Sequence, residues 1–165
     1  MTERHTALDR GPSDLIGGAW IELSGDGIRS ENPARPAERV WQGTPVAAHV
    51  DRAVAAASAA LPAWSAWSIE QRAGVLRRFA AICAEKTDQL ADLLCVETGK
   101  ALWECKGEAG LLAGKVTITI TLDEQAEQNW GRSRVTGYTL SLNETKSAST
   151  HFRPHGVMAV LGPFN

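Results

Sequence analysis

Three cysteines, four histidines and the pair Gly99-Lys100 are the side chains of this 165-residue chain whose types best suit chemistry. Cys83, Cys95 and Cys105 form no C-x-x-C pair, and their odd number leaves one without a disulfide partner. Each lies in a stretch with helical patterning, which reads as reduced core or surface thiols rather than a zinc or disulfide set. His5, His49, His151 and His155 show no metal-ligand spacing with one another or with the cysteines, so no metal site is expected. Gly99-Lys100 has the form of a P-loop end, but Leu94 stands where the first glycine belongs and no Ser or Thr follows Lys100. Neither G-x-G-x-x-G nor G-x-S-x-G occurs. Gly107, Gly110 and Gly114 lie on a helical pattern and are expected to permit close helix packing. By residue type and spacing alone, nothing here performs chemistry.

The elements around these residues are those of a globular protein: 44% hydrophobic, 22% charged, net charge -2 with the two signs interspersed. That balance points to no nucleic-acid partner and no anionic-membrane patch. No apolar stretch is long enough to span a bilayer, and Met1 to Asp14 lacks the apolar segment of a signal peptide. With the cysteine usage, this places the chain in the cytoplasm.

Residues 1–14 read as a disordered tail. Gly17-Gly18, between Leu15-Ile16 and Ala19 to Leu23, is a two-residue hairpin signal. Asn32-Pro33 and Arg35-Pro36 punctuate an irregular stretch, and Val40 to Gly43 resumes briefly as strand. Thr44 is a candidate N-cap for a helix with Pro45 in its first turn, closed by Pro62 to Trp67. Trp64 and Trp67, three apart, share a face if helical. Ser68-Ile69-Glu70-Gln71 has the form of a capping box. It opens a helix whose Leu76, Phe79, Cys83, Leu90, Leu93 and Leu94 recur as one buried stripe, with Lys86-Thr87-Asp88 a candidate break. Gly99 is the expected residue just past a helix end, and another helix starts near Ala101. Over Val116 to Leu122 two rules conflict. Strict apolar–polar alternation with β-branching favours a strand, while Leu112, Val116 and Ile120 continue a helical period without a break. Gly137 to Leu142 and Ala148 to Arg153 read as a hairpin about the turn Asn143-Glu144-Thr145.

The final segment carries the most. Val157 to Leu161 is wholly apolar and bounded by Gly156 and Gly162-Pro163, the pattern of a strand buried on both faces of a parallel sheet. Such a strand needs paired neighbours and a helical crossover. Open α/β sheets place their ligands just past this strand end. The expectation is therefore an incomplete chain, cut at the threshold of an active site, and a frame continuing with Phe-Pro would bear this out. The competing expectation is a short, non-catalytic helical protein that binds a partner. The unprotected apolar strand argues against it, because self-sufficient proteins cover or charge such edges.

Residues Arg153 to Asn165, with the order P-x-G-V, apolar strand, G-P-F-N, resemble the aldehyde dehydrogenase pattern that ends P-W/F-N-F-P. Glu97-Thr98-Gly99-Lys100 with Trp103-Glu104 resembles that family's E-x-G-K helix end, and Asn32-Pro33 the N-P of its first hairpin. The match runs in register from about Trp20 to Asn165. R-P-H-G-V before the strand and E-T-G-K-x-x-W-E upstream narrow it to one member of the family.

The resemblance implies an α/β protein, the N-terminal part of an aldehyde dehydrogenase fold. Residues 15–130 would be the β-hairpin and helical part of the NAD-binding domain, 131–154 a bridging hairpin for homo-oligomers, and 155–165 the first buried strand of the NAD-binding sheet. It also requires helix across Leu111 to Leu122. It implies NAD-dependent oxidation of a small-molecule aldehyde by covalent cysteine catalysis with an oxyanion hole. Asn165 matches the position of an oxyanion-donating amide, and Leu161, Gly162, Pro163 and Phe164 match the strand end along the cofactor. Cys83, Cys95 and Cys105 match neither the nucleophile nor any other catalytic position of the family. The 165 residues alone are thus expected to be inactive.

Overall fold

The computed structural model describes residues 11–130 and 137–162, and the side chains of these except 121–130. Among the described residues, three antiparallel two-stranded sheets accompany four helices. Strands β1 (Ser13–Ile16) and β2 (Ala19–Glu22) pair as a hairpin with Leu15 opposite Trp20. Gly17 and Gly18 both have positive φ, +59° and +82°, the requirement of the tight turn their sequence announces. Ser13 and Asp14 are therefore strand, a correction to the expected tail over 1–14; residues 1–10 lie outside the described residues.

Strands β3 (Ile28–Asn32) and β4 (Arg35–Gly43) form a second hairpin, with register shifts near Glu31. The stretch expected to be irregular around Pro33 and Pro36 is thus largely strand. The pattern was hidden because the ladder is irregular and Pro33 sits in its turn.

Helix α1 (Ala48–Ala66) begins later than expected, with Ala47 at its N-cap. The Thr44 hydroxyl instead accepts the Gly27 N–H at 3.1 Å, holding the β2–β3 loop against the end of β4. The helix closes within the expected segment, running through Pro62 to Ala66 with Trp67 at its C-cap. Trp64 and Trp67 pack together as expected, ring centroids 5.5 Å apart. Helix α2 (Ile69–Glu85) carries the full capping box: Ser68 Oγ accepts from Gln71 N at 3.2 Å, and Ser68 N donates to Gln71 Oε1 at 2.8 Å. Ser68→Ala should cost about 1 kcal/mol, read as a lower urea midpoint, because the Gln71 N–H at the helix start loses its partner.

The chain breaks at Lys86, as the sequence suggested, into α3 (Thr87–Thr98). Helix α4 (Leu102–Trp130) then continues straight through Val116 to Leu122. Local alternation loses here for a visible reason. The hydroxyls of Thr117 and Thr119 donate to the carbonyls of Ala113 and Lys115, four residues back, at 3.5 and 2.8 Å. The threonines are thereby accommodated inside the helix.

Helix α4 packs on α2 and α3, and the core lies there: Ala91, Cys105 and Ala109, with Leu90, Leu94 and Cys95 against them. Only part of the expected stripe is buried. Cys83 is, but Leu76 and Phe79 are exposed. Gly107, Gly110 and Gly114 also correct an expectation: a Cβ on any of them would meet nothing within 4 Å among the described residues. No close helix packing depends on them.

Strands β5 (Tyr138–Asn143) and β6 (Lys146–Thr150) pair about the expected turn. Residues 131–136 of the expected bridging segment lie outside the described residues. Beyond β6 the expected buried strand is absent. Residues 157–162 form no strand, and Val160 and Leu161 are 86% and 91% exposed. A strand exists only as part of a ladder, and no described residues pair with this run.

Candidate functional site

Two motifs of the family resemblance meet in space. Helix α3 ends when Gly99 adopts the left-handed conformation, φ +71°, and its N–H donates to Cys95 O at 2.9 Å. A Cβ on Gly99 would lie 3.1 Å from Pro33 Cβ, so the helix end and the β3–β4 turn touch there. Glycine is needed twice over, by conformation and by close approach. Asn32 is buried, its Oδ1 accepting Ala34 N–H at 3.0 Å and its Nδ2 donating to Glu38 at 3.3 Å. It shapes the turn that presents Pro33.

The charged residues of E-T-G-K act as fasteners. Trp41 Nε1 on β4 donates to Glu97 Oε1. Lys100 Nζ pairs with Glu108 on α4. The Glu108 hydrogen bond holds the Lys100 ammonium above the usual lysine range, against the opposing effect of burial. The pair's contribution is present at neutral pH and fades only as pH rises through that elevated value. Thr98 Oγ1 donates to Leu94 O at 2.6 Å and accepts Lys100 N–H at 3.3 Å, tightening the same turn.

Gly99→Ala should therefore destabilise the chain by about 1–2 kcal/mol from backbone strain, with the Pro33 contact adding to it. Gly114→Ala, mid-helix and facing open space, should stabilise by about 0.5–1 kcal/mol. Paired urea titrations would show opposite shifts.

The sequence reading missed the partners of Trp41 and of His49. His49 Nδ1 lies 2.7 Å from Asp14 Oδ2, tying α1 to β1 beside a cavity of about 320 Å³ lined also by Leu15, Leu23, Pro45 and Val46. Partners 35 and 56 residues apart leave no trace in local spacing. Its lining residues include no cysteine, serine or lysine. Among the described residues, no group of three or more His, Cys, Asp or Glu side chains gathers as a metal site.

Of the expected site residues, Leu161 and Gly162 sit in the open segment after β6, and a Cβ on Gly162 would meet nothing within 4 Å. Pro163, Phe164 and Asn165 lie outside the described residues. The three cysteines are not brought to that end. Cys83 and Cys105 are buried and Cys95 is half-buried in the helical core.

The aldehyde dehydrogenase family model matches residues 20–165, and the chain belongs to that family, a family of oxidoreductases. The chain is 42% identical over 152 residues to N-succinylglutamate 5-semialdehyde dehydrogenase of Paraburkholderia xenovorans (strain LB400), covering 92% of this chain and 29% of that protein. It thus spans under a third of the curated relative's length. Among solved structures, it is similar to an E. coli NADP dependent enzyme (TM-score 0.64, 31% identity, 82% of this chain and 26% of that one). The aldehyde dehydrogenase from Brucella melitensis biovar abortus 2308 gives TM-score 0.64 at 27% identity, over 81% of this chain and 26% of that one. The fold is accordingly the N-terminal part of an aldehyde dehydrogenase fold, α/β with small hairpins and four helices.

Proposed function

We propose that this segment serves an enzyme that oxidises N-succinylglutamate 5-semialdehyde to N-succinylglutamate, a step of arginine catabolism in the cytoplasm, with NAD as the cofactor. The observation that carries this reading is the in-register match of 152 residues at 42% identity to a protein of that name. The R-P-H-G-V, G-P-F-N and E-T-G-K-x-x-W-E patterns support the same member.

A nicotinamide cofactor suits the open end of the chain. Gly162 offers backbone without a side chain in the way, and Leu161 offers bare apolar surface. When bound, the cofactor supplies the hydride acceptor. In this reading Leu161, Gly162, Pro163 and Phe164 would be the residues that hold it. Asn165 donates its side-chain amide to the oxygen that gains negative charge when a cysteine thiolate, supplied from outside these residues, adds to the aldehyde. An amide suits this role because it donates a hydrogen bond without carrying a charge of its own. The E-T-G-K and N-P fasteners hold α3, α4 and the β3–β4 hairpin as one scaffold. Homo-oligomer formation through the β5–β6 hairpin belongs to the same proposal.

A chimera tests this reading: residues 20–165 replace the matching segment of the Paraburkholderia xenovorans enzyme. The expected result is NAD reduction with the succinylated semialdehyde, and a clear preference for it over unsuccinylated aldehydes. A folded chimera that oxidises neither overturns the reading.

A further inference from the structure

Cys95 on α3 and Cys105 on α4 face one acceptor. Their sulfurs lie 3.2 and 4.0 Å from the same Lys100 carbonyl oxygen, so the two cannot be farther apart than those distances together. Cys95 also packs against the buried cluster that contains Cys105. The two differ in access: Cys105 is fully buried, whereas Cys95 is half-buried. Burial, and then the neighbouring Cys95, push the Cys105 thiol up. Neither thiol fits the catalytic reading above, and Cys83 lies on α2, outside this cluster.

We propose that Cys95 and Cys105 form an oxidisable dithiol, in which a hydroperoxide oxidises the accessible Cys95 and the buried Cys105 resolves it into a disulfide. In the first step Cys95 sulfur attacks a peroxide oxygen; the O–O bond breaks, and a sulfenic acid and one water form. In the second, Cys105 sulfur attacks Cys95 sulfur; the S–O bond breaks, the S–S bond forms, and a second water leaves. Two thiols lose two protons and two electrons, and hydrogen peroxide is reduced to two waters. The bond would clamp α3 to α4 across the turn that carries Gly99 and Lys100. A short excursion of two helix ends suffices, because a disulfide asks only for a few ångströms of Cβ separation.

Trypsin separates the two cysteines, since Lys86, Lys100 and Lys106 bound peptides 87–100 and 101–106. The 165-residue chain is treated with hydrogen peroxide, its remaining thiols are alkylated, and the digest is read by mass spectrometry. The expected product is peptide 87–100 joined to 101–106, two hydrogens lighter than the separate thiols, with Cys83 alkylated and the link lost on dithiothreitol treatment. Cys105→Ala should abolish the link and leave Cys95 as a sulfenic acid captured by dimedone. Should that variant fail to fold, the wild-type digest alone decides. Cys95 oxidised past the sulfenic stage with Cys105 still alkylatable, or Cys95 joined to Cys83 or to a second chain instead, overturns the proposal.

Discussion

Asn165→Ala in the chimera should lower kcat by about 10²–10³-fold and leave cofactor affinity near its starting value. The proposed amide bond is made to charge that develops during addition of the thiolate. Its loss therefore falls on the transition state rather than on ground-state binding. Steady-state rates with saturating NAD, beside a direct titration of NAD binding, separate the two. Asn165→Asp is an informative companion: it retains size but places negative charge against negative charge, and should be at least as damaging. An alanine variant with near-normal turnover would remove Asn165 from the mechanism.

The purified 165-residue polypeptide should show no turnover with NAD and N-succinylglutamate 5-semialdehyde. The reason lies in the state of its thiols. A nucleophilic cysteine needs thiolate character and access. Cys105 has neither, buried with its thiol pushed above the usual range. Cys83 is buried, and the partner of Cys95 Sγ is the Lys100 carbonyl, which cannot take up a proton as a catalytic base would. Where a nucleophile and its base act as a unit, losing either one removes a factor of about 10⁶. The measurement is NADH formation against a heat-killed control, and activity above that control would place a catalytic thiol among these three.

The exposed apolar surface weighs between the two readings of the chain. Trp103, Leu111, Ile118, Met158, Val160 and Leu161 all stand half or more exposed. An interaction module would account for such surface through one partner. Family membership accounts for it together with the turn architecture at Gly99 and Pro33, which an interaction module has no reason to possess.

Features closed within a few residues were legible in the sequence. Gly17-Gly18, the Ser68 capping box, the break at Lys86 and the left-handed Gly99 each satisfy backbone groups locally, so residue type suffices. The motifs that placed the chain in its family were legible too, but their physical role was not. What Glu97 and Lys100 do became visible only with their partners, Trp41 and Glu108.

Tertiary structure decided what local rules left open. The alternating run Val116 to Leu122 is helical because α4 lies along α2 and α3 and its threonines bond back into the helix. Leu76 and Phe79 share the period of Cys83 but not its burial, since neighbours cover α2 at Ala73 and Cys83 and leave these two open. Val157 to Leu161 has the composition of a buried strand and is open, because burial and a hydrogen-bonded ladder are properties of neighbours rather than of the run itself. Sequence specified the groups each segment offers; the contacts between distant segments determined which of them became core, fastener or open surface.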